Sequence, residues 1–203
     1  MGAWASGPAE HEFRELPEKT GFSVDELRSL YKRFMQLCNE EGTLRQEDFE
    51  KIEHLQLNPI RSKIIRAFFD KRNFHKTEVG TVQEIGFVEF VTVVSYFKLP
   101  ETNQTKEQAA ELRRKKLRFL FNMHDTDSDE TITLEEYKYV IEDLLSSYKT
   151  IEKETAKAIA DSAMLEVANI TGRSMENCGS ITFEEFFQIL QDVEVESKMN
   201  LRF

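Results

Sequence analysis

Apolar residues recur at three- and four-residue spacing in paired stretches along the chain, each pair broken by a short polar segment. Such spacing predicts amphipathic helices joined by loops. The plan is clearest around residues 107–123, where Leu112, Leu117, Leu120 and Phe121 fall on one side of a predicted helix. A second helix begins near Leu134, with Tyr137, Val140, Ile141, Leu144 and Leu145 as its apolar side, and Ser146 and Ser147 end it.

The same helix–loop–helix plan appears four times, and an internal repeat governs how single motifs are read. The first copy opens on Ser23-Val-Asp-Glu26, a capping box, continues through Leu27, Leu30, Phe34 and Leu37, and resumes at Leu44 and Phe49. The second predicts a helix over 60–69, with Pro59 at its start where a missing donor costs little, then the segment Glu84-Ile-Gly-Phe-Val-Glu-Phe90 and an apolar helix to Phe97. The fourth runs from Ile159 to Val167 and, after a polar stretch, ends on Gly179-Ser-Ile-Thr-Phe-Glu-Glu-Phe-Phe187. Ile132 and Ile181 occupy matching places in the third and fourth loops, so an antiparallel ribbon is expected to join them there.

The third loop carries the chemistry. Residues 125–136 read DTDSDETITLEE, with carboxylates at positions one, three, five and twelve. Calcium wants six to eight oxygens, and that spacing supplies them from Asp125, Asp127, Asp129, Thr131, Thr133 and Glu136, with a backbone carbonyl at seven and often a water at nine. A solvated acidic turn is the alternative. Position six needs a left-handed backbone and here holds Glu130 instead of glycine. The strain costs about 1–2 kcal/mol, against roughly 8 kcal/mol for a micromolar site, so the expectation is a weakened site with the Glu130 carboxylate turned away from the ion. The other loops lack a ligand set. The fourth offers Ser174, Glu176 and Cys178 before Gly179, the second Glu78, Gly80 and Val82, and the first no convincing combination.

The expected fold is therefore all-α: four EF-hand-like helix–loop–helix units in two paired lobes, with short antiparallel ribbons between paired loops. The divisions read as an N-terminal segment 1–22, a metal-free pair 23–97, a polar linker 98–108, a pair 109–192 with one calcium loop, and a C-terminal segment 193–203.

At 203 residues and 40% hydrophobic, the chain can bury a sizeable core. Its 27 basic against 37 acidic residues give a net charge of −10, which argues against nucleic-acid binding. Cys38 and Cys178 are the two cysteines and the start has no long apolar run, so a cytosolic chain without signal peptide, disulfide framework or membrane span is expected. Two glycosylation-like tripeptides at Asn103 and Asn169 read as chance matches. His11, His54, His75 and His124 are scattered, and no nucleophile or phosphate-loop motif accompanies them, so no enzyme is expected.

Paired units of this kind often expose a groove for an amphipathic helix. Phe87, Phe90, Val94, Phe97, Ile141, Leu145, Phe187 and Leu190 are its candidate lining, with ordinary core as the alternative for each. Gly2 and Ser6 fit an N-myristoylation pattern, and a single chain gives only marginal membrane attachment. The basic run at 113–116 reads as solvated helix surface, with a second membrane signal as the alternative.

Several longer runs carry a family resemblance: Thr20-Gly-Phe-Ser23, Leu57-Asn-Pro-Ile-Arg-Ser-Lys-Ile64, Arg66-Ala-Phe-Phe-Asp70, Glu111-Leu-Arg-Arg-Lys-Lys-Leu-Arg-Phe-Leu-Phe121, the 125–136 loop, Ile181-Thr-Phe-Glu-Glu-Phe186 and Ser197-Lys-Met-Asn-Leu-Arg-Phe203. Over essentially its full length the chain resembles the calcineurin B homologous proteins. The resemblance implies a myristoylated calcium-binding regulator, in the cytoplasm, at the plasma membrane and in the nucleus. Its partner would be an amphipathic cytoplasmic helix just after the membrane domain of a sodium–proton exchanger, whose maturation, surface stability and activity it promotes. Inhibition of a calcineurin-type phosphatase, through its catalytic subunit, is the second implied role. Only the third loop would take calcium, with magnesium as an alternative ion. Two departures follow: the family has glycine where Glu130 stands, and its chains continue past the Arg-Phe ending, so a shortened C-terminal segment is expected.

Overall fold

The computed structural model describes residues 10–75, 78–99, 104–145, 153–172 and 179–195. Gly2, the tail from residue 196, and Ser174, Glu176 and Cys178 of the fourth loop lie outside them. Among the described residues the helices are α1 (Glu10–Thr20), α2 (Val24–Leu37), α3 (Glu53–Gln56), α4 (Arg61–Phe68), α5 (Phe87–Ser95), α6 (Lys106–His124), α7 (Leu134–Leu145), α8 (Lys153–Thr171) and α9 (Phe183–Ile189). Two three-residue strands, β1 (Thr131–Thr133) and β2 (Ser180–Thr182), complete an all-α, EF-hand-type arrangement of paired helix–loop–helix units.

The loops pair through buried aliphatic residues. Ile132 faces Ile181 in the antiparallel β1–β2 ribbon, and Leu44 and Ile85 form the equivalent bridge in the first pair, exchanging N–H···O bonds of 2.9 and 3.0 Å. These four residues are buried, so each ribbon closes over apolar contact as well as hydrogen bonds.

Four residues beyond each bridge residue stands a carboxylate with a fixed local task. Asp48, Glu89, Glu136 and Glu185 accept the backbone N–H of Arg45, Gly86, Thr133 and Thr182 at 2.9–3.0 Å. In the last two units the threonine hydroxyl completes a reciprocal capping box. A helix start leaves orphan N–H groups, and a carboxylate three residues in satisfies one while complementing the dipole. Gly86 leaves room for this closure, since a Cβ there would stand 2.9 Å from Glu89 Oε2.

Local chemistry also explains where elements depart from the periodic pattern. Ser23 and Glu26 form the expected capping box at the start of α2. Pro59 lies in a turn before α4, because the Asn58 side chain accepts Ile60 N–H at 3.0 Å and delays the helix to Arg61. The second half of the first unit is a 3₁₀ turn over Gln46–Lys51 followed by the short α3, not one continuous helix. Helix α6 starts at Lys106 on a Thr105–Gln108 capping box, so the end of the polar 98–108 stretch is helical. Helix α8 is much longer than its apolar 159–167 centre.

One core runs through both pairs. Phe68 on α4 is fully buried and meets Phe49, Phe90, Phe97 and Phe119, with ring centroids 4.9, 6.2, 6.2 and 6.4 Å away. Phe119 belongs to α6, so this aromatic chain carries packing from the first pair into the second. Further along α6, Phe121 meets Phe183 and Phe186 at the start of α9. Helix α1, which periodicity does not mark out, buries Leu16 and stacks Phe13 on Phe87 of α5. No helix among the described residues is long and apolar enough to cross a membrane.

Candidate metal centre

The third loop is stretched between the C-terminus of α6 and the start of α7, and its backbone is turned by its own side chains. Asp125 is fully buried at the end of α6. Its Oδ1 accepts Asp129 N–H and its Oδ2 accepts Glu130 N–H, both at 3.2 Å. Glu136, also buried, reaches back across the loop: Oε1 accepts the N–H and hydroxyl of Thr126 at 2.7 and 2.8 Å, and Oε2 those of Thr133 at 2.9 Å each. Burial opposes its ionised form, but these four hydrogen bonds prevail and hold the Glu136 carboxyl below its ordinary range. Asp125 is the opposite case, since burial lifts its carboxyl above the ordinary value against the pull of a neighbouring guanidinium and two N–H groups.

Asp125, Asp127 and Glu136 bring ligand oxygens within 4.8 Å of one another. Three carboxylates so disposed suit a hard divalent cation, which takes oxygen ligands and can share them with backbone carbonyls and water. Asp129 stands outside this trio, its Oδ1 taken by the N–H and hydroxyl of Thr131 at 2.8 Å. Thr131 and Thr133 lie in β1, the latter donating its hydroxyl to Glu136.

Glu130 adopts φ 67°, the left-handed turn that position six demands. Its carboxylate points outward to Arg118, 2.7 Å away, whose guanidinium lies 3.7 Å over the Phe183 ring. The protein's own contacts thus hold the turn, and its strain falls on folding stability more than on ion affinity. Glu130→Gly is therefore expected to stabilise the fold by about 1 kcal/mol, because the exposed ion pair it removes is worth little. Denaturant melts would check this, with calcium affinity changing by less than about threefold; a tenfold tighter site without a gain in stability would refute it.

The pattern of the loop does not reveal its largest neighbour, Arg72. This residue sits in a 3₁₀ turn over Lys71–Asn73 in the second unit. Its Nη1 donates to Asp125 Oδ2 at 2.7 Å, and Nη2 donates to Asp125 O at 2.9 Å and Asn122 O at 3.0 Å. Asp70 holds the other side of the guanidinium through contacts of 2.7–3.1 Å. Arg66 adds a 2.7 Å bond to Thr126 O, and Asn73 Oδ1 accepts from Asn122 Nδ2 at 2.9 Å. Tyr96 closes the network by donating to Asn73 O, and burial pushes its phenol up to about 12. The third loop is fastened to the preceding unit by contacts spanning about fifty residues of sequence, for which no local signal exists.

The candidate groove residues separate. Phe87 and Phe90 are core, enclosed by Phe13, Tyr31, Phe34 and Phe68. Val94 and Phe97 line a cavity of about 470 Å³ with Phe22 and Leu30, and Asp25 and Glu26 lie on its wall. Leu190 lines a separate apolar cavity of about 200 Å³ with His124, Tyr137 and Phe186. Ile141 and Phe187 are half-buried, and the Leu145 side chain lies outside the described residues. The basic run on α6 is not simply solvated. Arg113 caps the carbonyls of Leu190, Gln191 and Val193, Arg114 pairs with Glu184 over the Phe183 and Phe187 rings, and Lys116 is buried.

Paired helix–loop–helix units, loop-to-loop ribbons and a carboxylate trio inside one loop define an EF-hand protein with a candidate divalent-cation site. No family model matches the chain. It is 50% identical to human calcineurin B homologous protein 3 over 206 residues, covering 100% of this chain and 95% of the human protein. It is 50% identical to the Xenopus tropicalis protein of that name, covering 95% and 91% of the two chains, and 44% identical to the Gallus gallus one, covering 100% and 95%. The calcineurin B of Naegleria gruberi aligns at 28% identity over 203 residues, covering 100% and 99%. The chain belongs to the calcineurin B homologous protein family, and within it is highly similar to calcineurin B homologous protein 3. It is a regulatory protein and not an enzyme.

Proposed function

We propose that the chain is a calcium-binding regulatory subunit that holds an amphipathic juxtamembrane helix of a plasma-membrane sodium–proton exchanger and promotes the exchanger's maturation, surface stability and activity. The observation that carries this reading is the joint presence of the carboxylate trio and a cavity with an apolar floor of Phe22, Leu30, Val94 and Phe97 and a polar rim, on one continuous core. Calcium would be held by Asp125, Asp127 and Glu136, with Asp129, Thr131 and Thr133 as further oxygen donors and magnesium as a competing ion. Asp25 and Glu26 outnumber Lys98 on the cavity wall and suit a target helix with Arg or Lys along its rim. Gly2 would carry a myristoyl chain, adding reversible attachment to the cytoplasmic membrane face; intact-mass measurement of the expressed protein tests that part directly.

A pull-down with the exchanger's juxtamembrane helix, in calcium and in chelator, tests the main reading. Capture is expected in both conditions, and Leu30→Asp is expected to weaken it by at least about tenfold, as loss of an apolar anchor does. Failure of the full chain to capture the helix in either condition would overturn the reading. The full-length alignment with a calcineurin B favours one second reading, regulation of a calcineurin-type phosphatase. Phosphatase inhibition that appears only with calcium, without capture of the exchanger helix, would support it instead.

A further inference from the structure

One charge in contact with the candidate cation site is a cation, Arg72. Its guanidinium and an ion would share one carboxylate, since Arg72 Nη1 holds Asp125 Oδ2 while Asp125 belongs to the trio with Asp127 and Glu136. The arginine is fixed from behind by Asp70, on both Nε and Nη2, and both side chains are nearly buried. The seam around them, lined also by Arg66, Asn122 and Thr126, leaves only about 10 Å³. That is at the lower limit for one water, so solvent screens this charge poorly.

We infer that Arg72 is a built-in counter-cation of the loop: it lowers the site's affinity for a divalent ion and makes ion binding loosen the contact between the loop and the preceding unit. A positive charge on the same carboxylate repels an incoming ion and withdraws negative potential from its first ligand. Coupling between two interactions is reciprocal, so an ion weakened by Arg72 must weaken Arg72's hold on Asp125 to the same degree. The Asp70–Arg72 turn then reads ion occupancy, and its bonds to Asn122 O and Asp125 O carry that state to the end of α6. The reading rests on the cation-binding reading of the loop, which the wild-type arm of the experiment checks by itself.

The experiment is calcium titration calorimetry on the full chain with wild type, Arg72→Met and Arg72→Lys, together with thermal melts in chelator. Arg72→Met removes the charge and leaves Asp70 and Asp125 buried without their counter-charge, held only by backbone N–H groups, so it should melt lower in chelator. It should bind calcium about tenfold more tightly than wild type, the scale expected for one poorly screened charge near the ion. Arg72→Lys keeps the charge and should stay within about threefold of wild type. If Arg72 merely positioned Asp125, Arg72→Met would bind more weakly; that result, or unchanged affinity, overturns the proposal. Absence of calcium heat in wild type would refute the cation-binding reading and this inference with it. Should Arg72→Met not fold without calcium, hydrogen exchange on wild type decides: amides of residues 70–74 should exchange faster in calcium than in chelator, and equal or slower exchange overturns the proposal.

Discussion

Phe68→Ala is expected to lower the unfolding free energy by about 3–5 kcal/mol, the usual consequence of deleting a fully buried phenyl ring. Few substitutions in this chain should cost more, because the Phe68 ring meets aromatic neighbours on the first unit, on α5 and on α6 at once. A fold of ordinary stability holds only about 5–15 kcal/mol in reserve. Chemical denaturation followed by far-ultraviolet circular dichroism would measure the loss. The same melts, read in parallel at probes placed in each half of the chain, should show one shared transition shifted to lower denaturant. A loss below about 1 kcal/mol would mean that the site collapses around the missing ring, and two resolved transitions in the wild type would contradict a common core.

The second large effect is expected at Glu136, where a proposed ligand role and a capping role coincide. Its carboxylate belongs to the cation trio and also caps α7 through Thr133 while tying down Thr126 at the loop entrance. Glu136→Ala should reduce calcium binding below what calorimetry detects and also cost about 1–2 kcal/mol of stability in chelator, from the lost cap and the orphaned donors. Glu185→Ala separates the two roles. It removes the matching cap on α9 through Thr182, and a similar stability loss is expected with calcium binding retained within about threefold. If Glu185→Ala abolished binding as fully as Glu136→Ala, the division between ligand and cap would be wrong.

Much of this architecture is legible because it is local. Ser23 and Glu26 lie three residues apart, and their capping box forms where the sequence places it. Ile132 and Ile181 match by their place in the repeat and do face each other. Glu130 turns outward, as its place at position six of the loop leads one to expect, although its partner Arg118 cannot be read from spacing. What escapes the pattern depends on distant packing. Phe87 and Phe90 carry the same periodicity whether they line a groove or a core, and only the arrival of Phe13 and Phe68 decides for core. Arg72 and Asp125 are brought together by the docking of α4 and the following turn on α6, which no window of sequence contains. Pro59 suits a first helical position by its own preference, whereas the neighbouring Asn58 side chain holds it in a turn.

The four capping carboxylates have a consequence for how such repeats change over time. Asp48, Glu89 and Glu185 cap their helices as Glu136 does, though of the four only Glu136 belongs to the carboxylate trio. A unit can thus shed its oxygen ligands one by one while selection on helix formation still preserves the acid at its end. The number of bound ions is thereby uncoupled from the scaffold, and a terminal acidic residue in a repeat marks a helix start rather than the presence of a metal.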